Sequence, residues 1–95
     1  MEGDGVMNKL DRLRKEIDEI DRDMLELFRR RMKVVREVAA YKKENNMEIF
    51  RPEREQEIIE KHRARVSQEE KDLAEEFIRA VMKISKDVQA EECLE

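Results

Sequence analysis

Arg31 interrupts an apolar series that recurs every three or four positions: Leu10, Leu13, Ile17, Ile20, Met24, Leu27, then Arg31, then Val34, Val38 and Tyr41. A guanidinium buried in such a seam without a counter-charge costs several kcal/mol, so Arg31 must meet an anion. An acidic side chain of a partner helix is one solution, and it makes Arg31 a salt-bridging or register-setting residue. A small anionic ligand is the other. Arg14 and Lys42 fall on one edge of the same helical wheel, where charges are commonly solvated or paired across a coiled coil. Lys42 follows Arg31 by three turns, about 16 Å along a helix axis. Two long basic side chains converge on a small anion from that separation. Arg14 is about 42 Å from Lys42 on a straight helix, so one chain cannot bring both to one small ligand. An antiparallel partner chain supplies the missing cation.

Further along, Arg54 and Glu55 open a second helix, either as a solvated helix terminus or as a third cation beside a hydrogen-bond acceptor. Ser85 and Gln89, four residues apart, extend a row that begins with Ile78 and Met82. They read as a core-edge hydrogen-bonding pair or as neutral polar groups facing a pocket. Gln89 donates and accepts without ever carrying charge. His62 and Cys93 attract no role, the first on a polar helix and the second near the end of the chain. The sequence holds no Ser-His-Asp set, no metal-ligand spacing and no glycine-rich phosphate loop. An enzyme built from these residues needs no nucleophile, metal or nucleotide cofactor.

Long helices must position these groups. Of 95 residues, 48% are charged, 39% apolar and 4% aromatic, with two glycines and one proline. So little turn chemistry argues against an all-β fold, and the Glu/Lys/Arg-rich composition at helical spacing predicts an all-α chain. The a/d seam predicts one very long helix from about residue 7 to about 45. Asn45-Asn46 is its expected stop, because asparagine tolerates the left-handed conformation. Pro52 suits the first turn of a second helix, about 53 to 65. Ser67 and Glu70 have capping-box spacing and open a third helix reaching about residue 91. On it, Leu73, Phe77, Ala80, Val81, Ile84 and Val88 form one apolar stripe. Residues 1–6, with both glycines, read as a flexible tail before a single domain at 7–95.

The first seam is longer than the other helices can cover, which predicts a homodimer in which the long helices pair. The net charge of −4 gives no support for nucleic-acid binding. One cysteine excludes an internal disulfide and fits a reducing, cytoplasmic setting. No apolar run suits a membrane span, and the opening residues MEGDGVMNKL lack a signal peptide's apolar core.

Taken in order, Leu13-Arg14, Ile17-Asp18, Asp21, Leu25, Arg31, Val38, Lys42, Pro52-Glu53-Arg54-Glu55 and Ser85-x-x-x-Gln89 resemble the all-helical chorismate mutases of the AroQ class. The likeness spans about residues 8 to 91 and rests on the joint order and intervals. The resemblance implies an intertwined homodimer with two active sites. It implies conversion of chorismate to prephenate on the route to phenylalanine and tyrosine. By resemblance, Arg14 enters the partner's site and Arg31 serves the site of its own chain, the two holding the substrate's carboxylates. Lys42 and Gln89 contact the ether oxygen. Arg54, Glu55 and Ser85 complete the polar lining, with Glu55 against the ring hydroxyl. Arg51 departs from the pattern, since many relatives carry Asp or Asn there; it is expected to neighbour the site. The same cations would serve an isochorismate-pyruvate lyase. A non-enzymatic helical dimerisation module would use Arg31 as a register device.

Overall fold

A computed structural model describes residues 5–94, with side chains for 8–93. Three α-helices follow one another: α1 (Gly5–Glu44), α2 (Pro52–Ala64) and α3 (Lys71–Leu94), with a 3-10 turn (Gln68–Glu70) before α3. No strand occurs among the described residues, as the composition predicts. The expected tail falls mostly outside the described residues, and α1 is already helical at Gly5. Among the described residues no helix is long and apolar enough to cross a membrane.

Local chemistry sets the helix boundaries. Asn46 takes a left-handed φ of 52°. The Met47 N–H then donates to the Lys42 carbonyl at 2.8 Å and the Asn46 N–H to the Lys43 carbonyl at 3.4 Å. This pair of bonds closes α1 with a Schellman motif. Arg51 is extended (φ −129°, ψ 92°) and hands over to Pro52 in the first turn of α2. Its carbonyl accepts the Glu55 N–H at 3.1 Å, but its side chain caps nothing. The capping box expected at Ser67 does not form. Its hydroxyl donates to the Glu70 carboxylate at 3.2 Å, while the Glu70 N–H reaches the Ser67 carbonyl at 3.0 Å. A three-residue spacing also fits a 3-10 turn, and the backbone takes that route here.

The chain divides into two compact units, one ending at Arg31 and one starting at Met32. Among the described residues, helical backbone of α1 makes up the first. Leu10, Leu13, Ile17, Ile20, Met24 and Leu27, its apolar seam, are 36–58% exposed.

The second unit packs the end of α1, α2 and α3 together. Ile59, Ile78 and Met82 form its core cluster, with Ile58 and Val81 at the margin. Arg36 lies 3.3 Å from Glu92, and Lys42 lies 3.0 Å from Gln89, so α3 runs antiparallel to the end of α1. Between those contacts Ala39 is fully buried, its short side chain allowing close approach of the helices. Ion pairs Glu55–Lys86 at 3.0 Å and Arg63–Glu75 at 2.8 Å set α2 antiparallel to α3.

Within this unit the buried rows sit beside the predicted seams. On α1, Met32 and Ala39 are buried while Val34, Val38 and Tyr41 stay exposed. On α3, Leu73, Phe77 and Ile84 stay exposed, while Ile78, Met82, Ser85 and Gln89 are buried. A helix with two apolar rows can bury one against its own chain and leave the other open. Here the row that turns polar at Ser85 is the inner one, so its polar atoms need partners.

Candidate active site

Lys42 stands in the last turn of α1, where a cation complements the negative end of the helix dipole. Its Nζ donates to the Ile49 carbonyl at 2.9 Å and to Gln89 Oε1 at 3.0 Å. The orientation of Gln89 follows from valence. An ammonium has only donors, so the amide must turn its oxygen toward Lys42. The amide NH₂ is thereby left to donate elsewhere, from a residue only 8% exposed. Lys42 keeps a third N–H beyond these two bonds. The pair therefore offers N–H groups of two kinds, one on a full charge and one neutral, held by segments 47 residues apart in the chain.

Burial, and after it the Arg51 guanidinium, hold the Lys42 ammonium below the ordinary lysine range; Cys93 acts in the opposite sense. Cys93 lies one turn beyond Gln89 on α3 and is half-buried. Sequence reading gave it no role, because nothing in its spacing shows that α3 carries it toward the end of α1.

Beside Lys42 opens a cleft of about 430 Å³, lined by Val38, Lys42, Arg51, Glu53, Arg54 and Glu57. Its size suits a small organic ligand. Three cations face two carboxylates, and one carboxylate is already engaged. Glu57 binds Arg54, and Lys61 stands 3.6 Å from the same oxygen. The Arg54 hydrogen bond first, then the Lys61 charge, hold the Glu57 carboxyl below the usual carboxylate range. A larger depression of about 640 Å³ runs along α2, lined by Glu53, Gln56, Glu57, Glu60, Lys61 and Ala64. Three carboxylates against one lysine give it the wrong sign for an anion.

Successive residues on a helix point about 100° apart, so Arg54 and Glu55 face different neighbours. Arg54 lines the cleft, whereas Glu55 turns toward α3, 3.0 Å from Lys86 Nζ. Ser85 is buried on the same row as Gln89, and its hydroxyl donates back to the Val81 carbonyl at 2.8 Å. The second unit thus gathers Lys42, Arg51 and Arg54 around one cleft, with Gln89 bonded to Lys42. Glu55 and Ser85 sit on the α2 and α3 faces of the same unit. Arg14 and Arg31 belong to the first unit, Arg14 exposed and Arg31 half-buried. Glu57, Lys86 and the Ile49 carbonyl were not singled out from the sequence. Glu57 was findable as an i, i+3 partner of Arg54. The contact between Lys86 and Glu55 spans two helices and leaves no such signal.

No solved structure matches the chain significantly. Over 55 residues, 58% of this chain, it is 46% identical to a bifunctional chorismate mutase/prephenate dehydratase of Aquifex aeolicus, covering 15% of that protein. Over 81 residues, 83% of this chain, it is 33% identical to the T-protein of Haemophilus influenzae, covering 22% of it. The chain therefore spans less than a quarter of the length of these curated relatives. A family model described as chorismate mutase type II matches residues 13–90, which takes in Arg14, Arg31, Lys42, the Arg51–Glu55 helix start, Ser85 and Gln89. With most of its length and all of those residues inside that match, the chain belongs to the chorismate mutase type II family.

Proposed function

We propose that this chain is itself a chorismate mutase, a cytoplasmic homodimer that rearranges chorismate to prephenate on the route to phenylalanine and tyrosine. Family membership supports the activity. The observation that carries the chemistry is the Lys42–Gln89 pair at the edge of a cationic cleft.

The rearrangement breaks one carbon–oxygen bond and forms one carbon–carbon bond within a single molecule. No proton is transferred, so no acid/base pair is required. One task of the protein is to fold the enolpyruvyl arm over the ring in a near-attack geometry. Arg31 and the Arg14 of a second chain clamp the two carboxylates, since planar guanidinium forks fix direction as well as charge. Arg54 adds a further cation, and substrate displaces Glu57 from it. Glu55 accepts the ring hydroxyl, and Ser85 lines the same wall. The other task falls to Lys42 and Gln89. Negative charge grows on the ether oxygen as its bond breaks, and an ammonium and an amide donor aimed there hold the transition state more tightly than the substrate.

The homodimer is supported by the open seam of α1. Among the described residues, buried apolar side chains are Met32, Ala39, Ile59, Ile78 and Met82, whereas fifteen large ones are exposed. A single chain of this length has little core to spare, and a second copy covers such a ladder without new chemistry.

Purified chain should consume chorismate with kcat/KM within about 10⁴–10⁸ M⁻¹s⁻¹, with prephenate as the product. Isochorismate assayed in parallel should release no comparable pyruvate. A folded dimer that leaves chorismate at its uncatalysed rate would overturn the reading.

Arg51 supplies a separate prediction. As the N-cap of α2 it makes no side-chain cap, and it disfavours the charged form of Lys42. Arg51→Asp places an acceptor at the cap and should stabilise the fold by about 1 kcal/mol, seen as a higher thermal midpoint. Removing a positive neighbour lets Lys42 keep its proton to higher pH, so the alkaline limb of kcat/KM should move up. A lower midpoint, or a limb that moves down, would contradict these roles.

A further inference from the structure

Lys86 is not among the residues carried over to the reaction, yet it is the side chain that meets Glu55. Its Nζ lies 3.0 Å from Glu55 Oε2 and 4.8 Å from the centre of the Phe50 ring. One ammonium thus engages the connector before α2, the first turn of α2, and α3. The pair is drawn partly out of water, with side chains 36% and 22% exposed for Lys86 and Glu55. Two of the three acids flanking Arg54 are divided between partners. Glu57 takes Arg54 and Lys61, while Glu55 takes Lys86.

We propose that Lys86 is a positioning residue for the reaction, fixing the Glu55 carboxylate against α3 where it accepts the ring hydroxyl of the substrate, while Phe50 keeps Lys86 in place. The inference rests on the role given to Glu55 above. Lys86 occupies Oε2, and the other carboxylate oxygen remains for the hydroxyl. Two forces would otherwise spoil that arrangement. A free glutamate samples several rotamers, and a dianionic substrate repels its carboxylate. An ammonium 3.0 Å away opposes both. The face of the Phe50 ring, with its centre 4.8 Å from the ammonium, restrains it as well. The hydroxyl keeps this bond in substrate and transition state alike, so the contribution is to binding rather than to the chemical step.

The test is steady-state kinetics on chorismate with Lys86→Met, Lys86→Arg, Glu55→Gln and the double variant Lys86→Met/Glu55→Gln. Methionine keeps the apolar stem and drops the charge. Lys86→Met should raise KM about 5- to 10-fold and leave kcat within about two-fold. Lys86→Arg should restore most of the loss. In the Glu55→Gln background, Lys86→Met should add little, because the two residues act as one unit. A residue with only a structural role would lower the melting midpoint and act equally in both backgrounds, and that result overturns the proposal. So does an unchanged KM in Lys86→Met when Glu55→Gln raises it; the role of Glu55 then stands. If Glu55→Gln itself leaves KM unchanged, the role of Glu55 falls and that of Lys86 with it.

Discussion

Lys42→Ala should lower kcat by about 100- to 1,000-fold or more while leaving a helical, dimeric protein. The ammonium puts a full positive charge on Gln89 Oε1 at 3.0 Å, and the pair presents its donors together. A donor that meets charge only as it develops acts on kcat more than on KM. Truncation also leaves Gln89 Oε1 and the Ile49 carbonyl without their shared donor. That costs some stability, because a partly buried acceptor loses its partner. Circular dichroism and sedimentation separate this loss from the catalytic one. A folded Lys42→Ala dimer turning over within ten-fold of the parent would remove Lys42 from the reaction.

The second large effect is a gain. Arg14→Ala and Lys42→Ala homodimers should each be nearly inactive. Mixed under conditions that exchange subunits, they should recover about a quarter of the parental activity, since half the dimers become mixed and each carries one intact site. The argument is one of sequence spacing. Arg14 and Lys42 are 28 residues apart in a stretch of helical period. At 1.5 Å per residue a single chain cannot deliver both to one small molecule. Failure of exchanged mixtures to recover any activity would show that the site is not shared between copies.

Much of the fold was legible because it depends on residues close in sequence. The left-handed stop at Asn46 and the start at Pro52 follow from backbone preferences of those residues. The all-helical class follows from composition and period. What escaped was which of two adjacent rows turns inward. Val34, Val38 and Tyr41 continue the seam of α1 in perfect spacing, yet Met32 and Ala39 are the buried residues. Periodicity identifies apolar rows but not their partners. The Ser67–Glu70 spacing likewise fits two local geometries, and only the backbone shows which is used.

The candidate site was legible by another route. Lys42 and Gln89 are 47 residues apart, and no local rule joins them. Resemblance in order and interval named both residues, and the 3.0 Å hydrogen bond between them is a contact that sequence spacing does not supply. Lys86 and Glu55 had no such guide. Each looks like an ordinary charge on a charge-rich helix, and only the packing of α2 on α3 makes them partners.

In the proposed homodimer, the exposed ladder from Leu10 to Leu27 would make this protein's integrity a matter of its abundance. If a twin molecule must close that ladder, dilution strips the cover, and the melting midpoint should climb with each rise in total protein. Catalysis per molecule would then fade in scarce samples faster than simple proportion requires. A cell making too little of it would hold idle halves rather than slow enzymes.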